Sequence, residues 1–122
     1  MSIERQKLGK HGENLAENYL VKHEYTVIAK NWRCSIGELD LVVEKDEQII
    51  FVEVRTRRGN HFGTPEASLT PRKQAKLVEL AWTFLAEHDY EAYQWRIDVI
   101  AIMLNRQWKI ERLNHIEWAI EA

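Results

Sequence analysis

Hydrophobic and polar residues recur along this chain with two different periods. Between Gly9 and His23, apolar or small residues return every three or four positions, and this spacing predicts an amphipathic helix. The helical period returns between Thr70 and about His88, where a threonine followed by a proline is typical of a helix start. The buried stripe of this second helix is expected to comprise Leu77, Leu80, Ala81, Phe84 and Leu85.

The remaining periodic segments show the alternation of β-strands. One of them is apolar on both faces as far as Glu53, which is typical of a central strand covered on both sides. Lys45-Asp46-Glu47 joins this strand to the preceding one as a hairpin. The five predicted strands are Tyr25–Ala29, Gly37–Glu44, Gln48–Arg55, Tyr93–Leu104 and Gln107–Leu113.

These elements predict an α/β fold in which a mixed central β-sheet is flanked by helices. The order along the chain is αβββαββ, followed by a short closing helix over His115–Ala122. A length of 122 residues suits one domain covering residues 1–122, with residues 1–7 as a flexible tail.

The charge of the chain is unevenly distributed. The net charge of −2 argues against a protein that coats nucleic acid by charge alone. Residues 55–76 nevertheless carry six basic and one acidic residue, directly after an acidic stretch. The single cysteine, Cys34, excludes an intramolecular disulfide, and no apolar run is long enough to cross a membrane. We therefore expect a cytoplasmic protein without a membrane partner.

Two acids on the predicted hairpin could form a metal site. With Asp46-Glu47 as the loop, Asp40 lies opposite Glu53 with Cβ atoms about 5 Å apart. Two carboxylates at this distance repel each other unless a cation or proton lies between them, and Mg²⁺ prefers such oxygen ligands. Arg55 returns to the same strand face, which is the arrangement expected for metal-dependent phosphodiester cleavage. Alternatively, both acids face solvent and are neutralised by Arg33 and Arg55.

Several motifs of the chain resemble one bacterial protein family. GELDLV and FVEVRTR carry the two acids, and LGKHGENLAENYL, KQAKL and RIDVIAI follow the same family pattern in the same order. Together they resemble the YraN family (uncharacterised protein family 0102) over about residues 8 to 120. The resemblance implies the restriction-endonuclease-like fold of the PD-(D/E)XK superfamily, similar to archaeal Holliday-junction resolvases.

The resemblance also implies roles for individual residues. Asp40 matches the aspartate of the superfamily motif and Glu53 the glutamate of its (D/E)XK half, whereas Arg55 stands in place of the lysine. Arginine keeps its proton, so Arg55 cannot be a general base, although it could clamp a phosphate. Glu13 matches a helix glutamate that resolvase-like members contribute to the metal site; it could instead be an exposed acid near a helix N-terminus.

Lys73, in the first turn of the second helix, is the candidate substitute for the missing lysine, because the superfamily's active-site lysine sometimes migrates to this helix. Alternatively, its stem covers apolar surface while its amine stays in water. Asp98 follows the family pattern as well, but Arg96 on the same strand face favours a structural ion pair.

The expected cofactor is Mg²⁺ or Mn²⁺, and the expected partner is nucleic acid, DNA before RNA. Its phosphates would meet a basic rim formed by Arg57, Arg58, Arg72 and Lys76. Three functions stay open: a metal-dependent nuclease acting on structured DNA or RNA, a nucleic-acid-binding protein of the same fold with weak or no cleavage, and an interaction protein with surface acids. A homodimer also stays open.

Overall fold

A computed structural model of the chain describes residues 2–59 and 63–121. Five strands form one sheet flanked by two helices, which confirms the predicted mixed sheet with helices around it. A short 3-10 turn, Glu66–Ser68, precedes the second helix. The elements are α1 (Ile3–Lys22), β1 (Thr26–Cys34), β2 (Gly37–Lys45), β3 (Gln48–Arg58), α2 (Pro71–Glu87), β4 (Gln94–Leu104) and β5 (Ile110–Ile120).

The strands follow one another across the sheet in chain order. β1, β2 and β3 form an antiparallel meander, and β5 is antiparallel to β4. β3 and β4 are parallel, because the connection between them contains α2, which returns the chain to the end of the sheet at which β3 begins. β3 is therefore the central strand, and its residues 49–52 are at most 2% exposed, as their apolar pattern predicts.

Each helix covers one face of the sheet. α1 buries Ala16 and Leu20 against Leu41, Ile50 and other residues of one face. α2 buries the predicted stripe of residues 77–85 against Val42, Phe51 and other residues of the opposite face. The Thr70 hydroxyl accepts a hydrogen bond from the amide of Lys73, so the predicted helix start at Thr70-Pro71 is confirmed.

The predicted closing helix over His115–Ala122 is wrong, because β5 continues as a strand to Ile120. Two hydrogen bonds from β5 to the buried carboxylate of Asp98 hold this end in the sheet: the amide of Trp118 donates at 3.0 Å, and His115 Nε2 lies 2.8 Å from the other oxygen. The first of these lies at a bulge, where Trp118 has a φ of 54°.

α1 begins at Ile3, six residues before the helix start predicted at Gly9, and so includes most of the segment predicted as a tail. Ser2 is the N-cap, and its hydroxyl accepts a hydrogen bond from the amide of Arg5 at 3.1 Å. β1 is longer than predicted and pairs with β2 as far as Cys34 opposite Gly37. Neither helix in the described ranges combines the length and the hydropathy that a membrane span needs.

Candidate metal and nucleic-acid site

A groove of about 790 Å³ lies where the first half of α1 passes the ends of β2 and β3. Four predicted site residues line it, namely Glu13, Asp40, Glu53 and Arg55. Two residues of the predicted basic rim, Arg57 and Arg58, line it as well. It is lined by Ser2, Glu4, Arg5, Leu8, Gly9, Glu13, Asp40, Glu53, Val54, Arg55, Thr56, Arg57, Arg58, Ser68 and Trp108.

The two acids of the hairpin lie together at the bottom of this groove. The β2–β3 register runs from Lys45 opposite Gln48 to Leu41 opposite Val52, which is the register that the two-residue loop predicts. Asp46 and Glu47 both have positive φ, as a two-residue hairpin turn requires. One position beyond the paired residues, the Asp40 carboxylate accepts a hydrogen bond of 2.9 Å from the amide of Val54. Asp40 thus takes part in the hydrogen bonding of β3.

Asp40 is held in an environment that disfavours its charge. Burial, and after it the neighbouring negative charge of Glu53, raises the pKa of Asp40 from 3.8 to about 8. A hydrogen bond between the protonated Asp40 and Glu53 acts in the same direction, while the Val54 amide opposes it. The two carboxyl groups therefore interact across neighbouring strands, and a cation between them would offset their repulsion.

Arg55 is fixed by three hydrogen bonds. Its Nη1 donates to Glu53 Oε2 at 3.0 Å, and the exposed fractions of the two side chains are 22% and 13%. Its Nε donates to Ser68 Oγ at 2.8 Å and its Nη2 to the Ser68 carbonyl at 3.3 Å. The Ser68 hydroxyl in turn donates to the Pro65 carbonyl at 2.6 Å. The guanidinium therefore lies beside the two acids in one defined orientation.

Glu13 approaches the same acids from α1. Asn31 donates its side-chain amide to Glu13 at 2.9 Å and to Glu38 at 3.0 Å, and so holds two acids near Asp40. Burial raises the pKa of Glu13, and the charge of Asp40 contributes. Asn31 has a φ of 51°, which asparagine tolerates better than most residues. In residues 2–59 and 63–121, however, no three acidic, histidine or cysteine side chains are already grouped as a metal site.

Comparison with known proteins places these residues in a family. The sequence pattern of the uncharacterised protein family UPF0102 matches residues 12–102, which include both hairpin acids. The chain belongs to this family. UPF0102 proteins of Roseiflexus castenholzii and Chloroflexus aurantiacus are 43% and 44% identical to it over 122 and 121 residues, covering 99% and 98% of this chain and 98% of each relative. A UPF0102 protein of Pelotomaculum thermopropionicum is 40% identical over 117 residues, covering 96% and 98%.

Lys73 of this UPF0102 chain lies next to Arg55 but at the surface. Its amine donates to the Ser68 carbonyl at 3.4 Å, the same oxygen that Arg55 contacts. The exposed Lys73 side chain thus contacts the loop that supports Arg55.

The structure brings two of the four predicted basic residues to the groove. Arg57 and Arg58 line it, whereas Arg72 and Lys76 are exposed on α2, which packs against the opposite face of the sheet from α1. Arg58 donates to Glu4 at 2.9 Å and to the Arg106 carbonyl at 3.1 Å. The predicted rim of four residues is thereby divided between two surfaces.

Asp98 lies outside the groove in a buried ion pair. Arg96 donates to both Asp98 oxygens, at 2.9 and 3.2 Å, and Asp98 is fully buried. Burial on its own would raise the pKa of Asp98, but hydrogen bonds from His115 and Arg96 outweigh it and lower the pKa. This bears out the structural role predicted for the Arg96–Asp98 pair.

Three residues of the site were missed by sequence reasoning: Ser68 and Trp108, which line the groove, and Asn31, which holds Glu13. Asn31 and Ser68 lie in segments read as connections, and a short polar residue in a connection carries no sequence signal of the side chain that it will contact. Trp108 alternates with apolar strand positions in the sequence, which suggested a packed residue. The structure places it at a turn with a φ of 64°, lining the groove.

Proposed function

We propose that this UPF0102 protein is a metal-dependent nuclease that binds nucleic acid in the groove and hydrolyses a phosphodiester bond beside Asp40 and Glu53. The observation that carries the proposal is the pair of carboxyl groups held against each other on neighbouring strands, with the pKa of Asp40 raised to about 8. Folded proteins retain such an unfavourable arrangement where it serves a purpose, and perturbed acids cluster at functional sites. The motif resemblance to PD-(D/E)XK nucleases supports the same reading.

The donor set fits a hard divalent cation. Asp40 and Glu53 would hold Mg²⁺ or Mn²⁺, which takes one or two carboxylates and keeps several waters. The charge of Asp40 contributes to the raised pKa of Glu13, so Glu13 lies near the pair and would act as a further oxygen donor. When bound, such an ion polarises a phosphate and lowers the pKa of a bound water.

Arg55 and Arg57 would contact the phosphate. Arg55 is a cationic side chain that is already oriented by Ser68, so it would stabilise negative charge on the phosphate oxygens without reorganising. The Nε atom of Arg57 is buried at the groove and has no hydrogen-bond partner among residues 2–59 and 63–121. A phosphate oxygen is a suitable acceptor for it.

Cleavage of duplex, flapped, branched and single-stranded substrates with Mg²⁺ or Mn²⁺ tests the proposal. Asp40→Asn and Glu53→Gln should abolish cleavage while the fold is kept, whereas Glu44→Gln, at the other end of β2, should leave it unchanged. Arg55→Lys should preserve or raise activity because it restores the usual lysine of the superfamily. If purified protein cleaves none of these substrates with either metal, the nuclease proposal is refuted.

A second function, nucleic-acid binding without cleavage, is favoured by Arg55 itself. Arginine stands where the superfamily has lysine, and its contact with Glu53 uses one of the oxygens that a metal would need. This alternative predicts salt-dependent binding to nucleic acid that is insensitive to divalent metal.

A further inference from the structure

Trp108 occupies an unusual position at one end of the groove. It lies at the turn between β4 and β5 with a φ of 64°, a left-handed conformation that is rare for a bulky side chain. Such conformations persist where the surrounding structure enforces them, and they concentrate at functional sites. The turn therefore holds a large aromatic ring where glycine or asparagine would be the ordinary choice.

The turn that carries Trp108 is held by several hydrogen bonds. The amide of Trp108 donates to the Asn105 carbonyl at 3.0 Å, and the Asn105 side chain accepts from the amides of Gln107 and Lys109 at 2.9 and 3.0 Å. From α1, His11 Nε2 lies 2.9 Å from the Trp108 carbonyl oxygen. The ring is thus presented to the groove from a fixed backbone.

Cationic groups lie beside this ring. The Arg58 guanidinium is 6.0 Å from the centre of the Trp108 ring, and it is oriented by the Arg106 carbonyl and Glu4. Arg57 and Arg5 line the same groove. An aromatic ring beside arginines is the combination that binds single-stranded nucleic acid, because the bases stack on the ring while the cations follow the phosphates.

An unpaired base can lie on this ring at a lower cost than a paired one. A base inside a duplex is already stacked on both of its faces, so it has to be unstacked before it can lie on a protein ring. The groove volume of about 790 Å³ lies in the range of pockets that bind a small organic ligand, and a single nucleotide is a ligand of that size. An unpaired nucleotide meets both conditions without the cost of unstacking.

We propose that Trp108 stacks on an unpaired base, so that the substrate of the groove is a single-stranded or flapped nucleic acid and not a continuous duplex. This inference rests on the proposed function, since it assigns a substrate class to the same groove. Arg58 would hold the phosphate of the stacked nucleotide, and Glu4 would be displaced from it.

Binding of a fluorescein-labelled single strand and of the blunt duplex formed with its complement tests the inference by fluorescence anisotropy. Trp108→Ala should weaken binding of the single strand by about 5- to 150-fold, the range expected for one base stacked on an aromatic ring, and should change duplex binding by less than about twofold. Trp108→Phe should restore most of the single-strand affinity because it keeps an aromatic ring. If the alanine variant does not fold, Trp108→Leu replaces it.

Trp82→Ala is the matched control, because Trp82 is 51% exposed on α2, away from the groove. It should bind both probes like the wild type. Equal weakening of both probes by Trp108→Ala, or no weakening, overturns the stacking inference and leaves the proposed function standing, provided that the wild type binds nucleic acid. Failure of the wild type to bind either probe overturns both.

Discussion

The raised pKa of Asp40 has a direct consequence for the stability of the protein. The folded state binds a proton at Asp40 up to a pH of about 8, whereas the unfolded chain releases it near 3.8. Folding therefore takes up a proton between these values, and the free energy of unfolding falls as the pH rises from about 4 to 8. Asp40→Asn removes this dependence, because the amide can accept from Val54 and donate to Glu53 as the protonated acid does.

The magnitude follows from the size of the shift. At about 1.4 kcal/mol per pKa unit, a shift from 3.8 to about 8 sets a ceiling of about 6 kcal/mol on the loss. Solvent screening in the groove lowers this ceiling, so we expect about 2–3 kcal/mol, as for other poorly satisfied buried polar groups. For a chain of this length that is a change in Tm of roughly 8–12 °C.

Thermal unfolding followed by circular dichroism from about pH 3.5 to about pH 9 measures the effect, because this range brackets the titration from about 4 to 8. Asp40→Asn should be more stable than the wild type at the alkaline end and should lose the advantage at the acidic end. Mn²⁺ should raise the Tm of the wild type most at alkaline pH, where the site is deprotonated, and should leave Asp40→Asn nearly unchanged.

Glu44→Gln is the control, since it removes an acid from the same strand without touching the groove. Its Tm profile should be parallel to that of the wild type. If Asp40→Asn also runs parallel to the wild type across the whole range, the two carboxyl groups are not forced together, and the argument for the site is refuted.

Three further predictions concern helix packing, the buried ion pair and the groove. Gly12→Ala should destabilise the fold by about 1–3 kcal/mol through overpacking, whereas Gly9→Ala should stabilise it by up to about 1 kcal/mol through helix propensity, both measured by urea unfolding. Asp98→Asn should lower the Tm and flatten its decline at acidic pH, because the lowered pKa of Asp98 adds stability above the unfolded pKa of 3.8 that is lost as the pH falls. Reversing the charge of Arg57 and Arg58 should weaken nucleic-acid binding to all sequences and reduce its salt dependence.

Each of these has an outcome that would contradict it. A Cβ on Gly12 would lie 1.9 Å from Thr56 Oγ1, while nothing lies within 4 Å of the same atom on Gly9, so equal effects of the two alanines would contradict the packing. If the Tm of Asp98→Asn falls as steeply at acidic pH as that of the wild type, the fall is due to other acids and not to Asp98. Charge reversal at Arg72 and Lys76 on α2 should have little effect, and an effect as large as at Arg57 and Arg58 would move the binding surface away from the groove.

The pattern of the sequence was enough to predict the hairpin and the second helix. A two-residue loop sets the β2–β3 register, because a slip of one residue would turn Leu41 and Val43 out of the core. The approach of Asp40 to Glu53, one position beyond the paired residues Leu41 and Val52, could therefore be predicted from residue numbers. The start of α2 at Thr70-Pro71 and its buried stripe depend on local capping and on the 3.6-residue period, and both are local properties.

The chain ends depended on long-range contacts. Residues 115–120 are too few to distinguish a helical from a strand period, and the contacts of Trp118 and His115 with Asp98, about 20 residues away, hold them in the sheet. The start of α1 had a local signal in Ser2, an N-cap residue, but the polar residues after it carry no apolar period.

The environment of the candidate site was decided by tertiary structure. The residue types predicted that two acids and an arginine lie together, but the burial that raises the pKa of Asp40 arises only in the folded chain, where residues from α1, β2 and β3 line one groove. The orientation of Arg55 comes from Ser68, which is thirteen residues away in the chain. Arg57 and Arg72 lie apart because Arg57 is on β3 and Arg72 is on α2. The local periodicity of the sequence determines which side chains lie near one another in the site. The burial and the orientation of those side chains depend on contacts between residues distant in the chain, and no local pattern records such contacts.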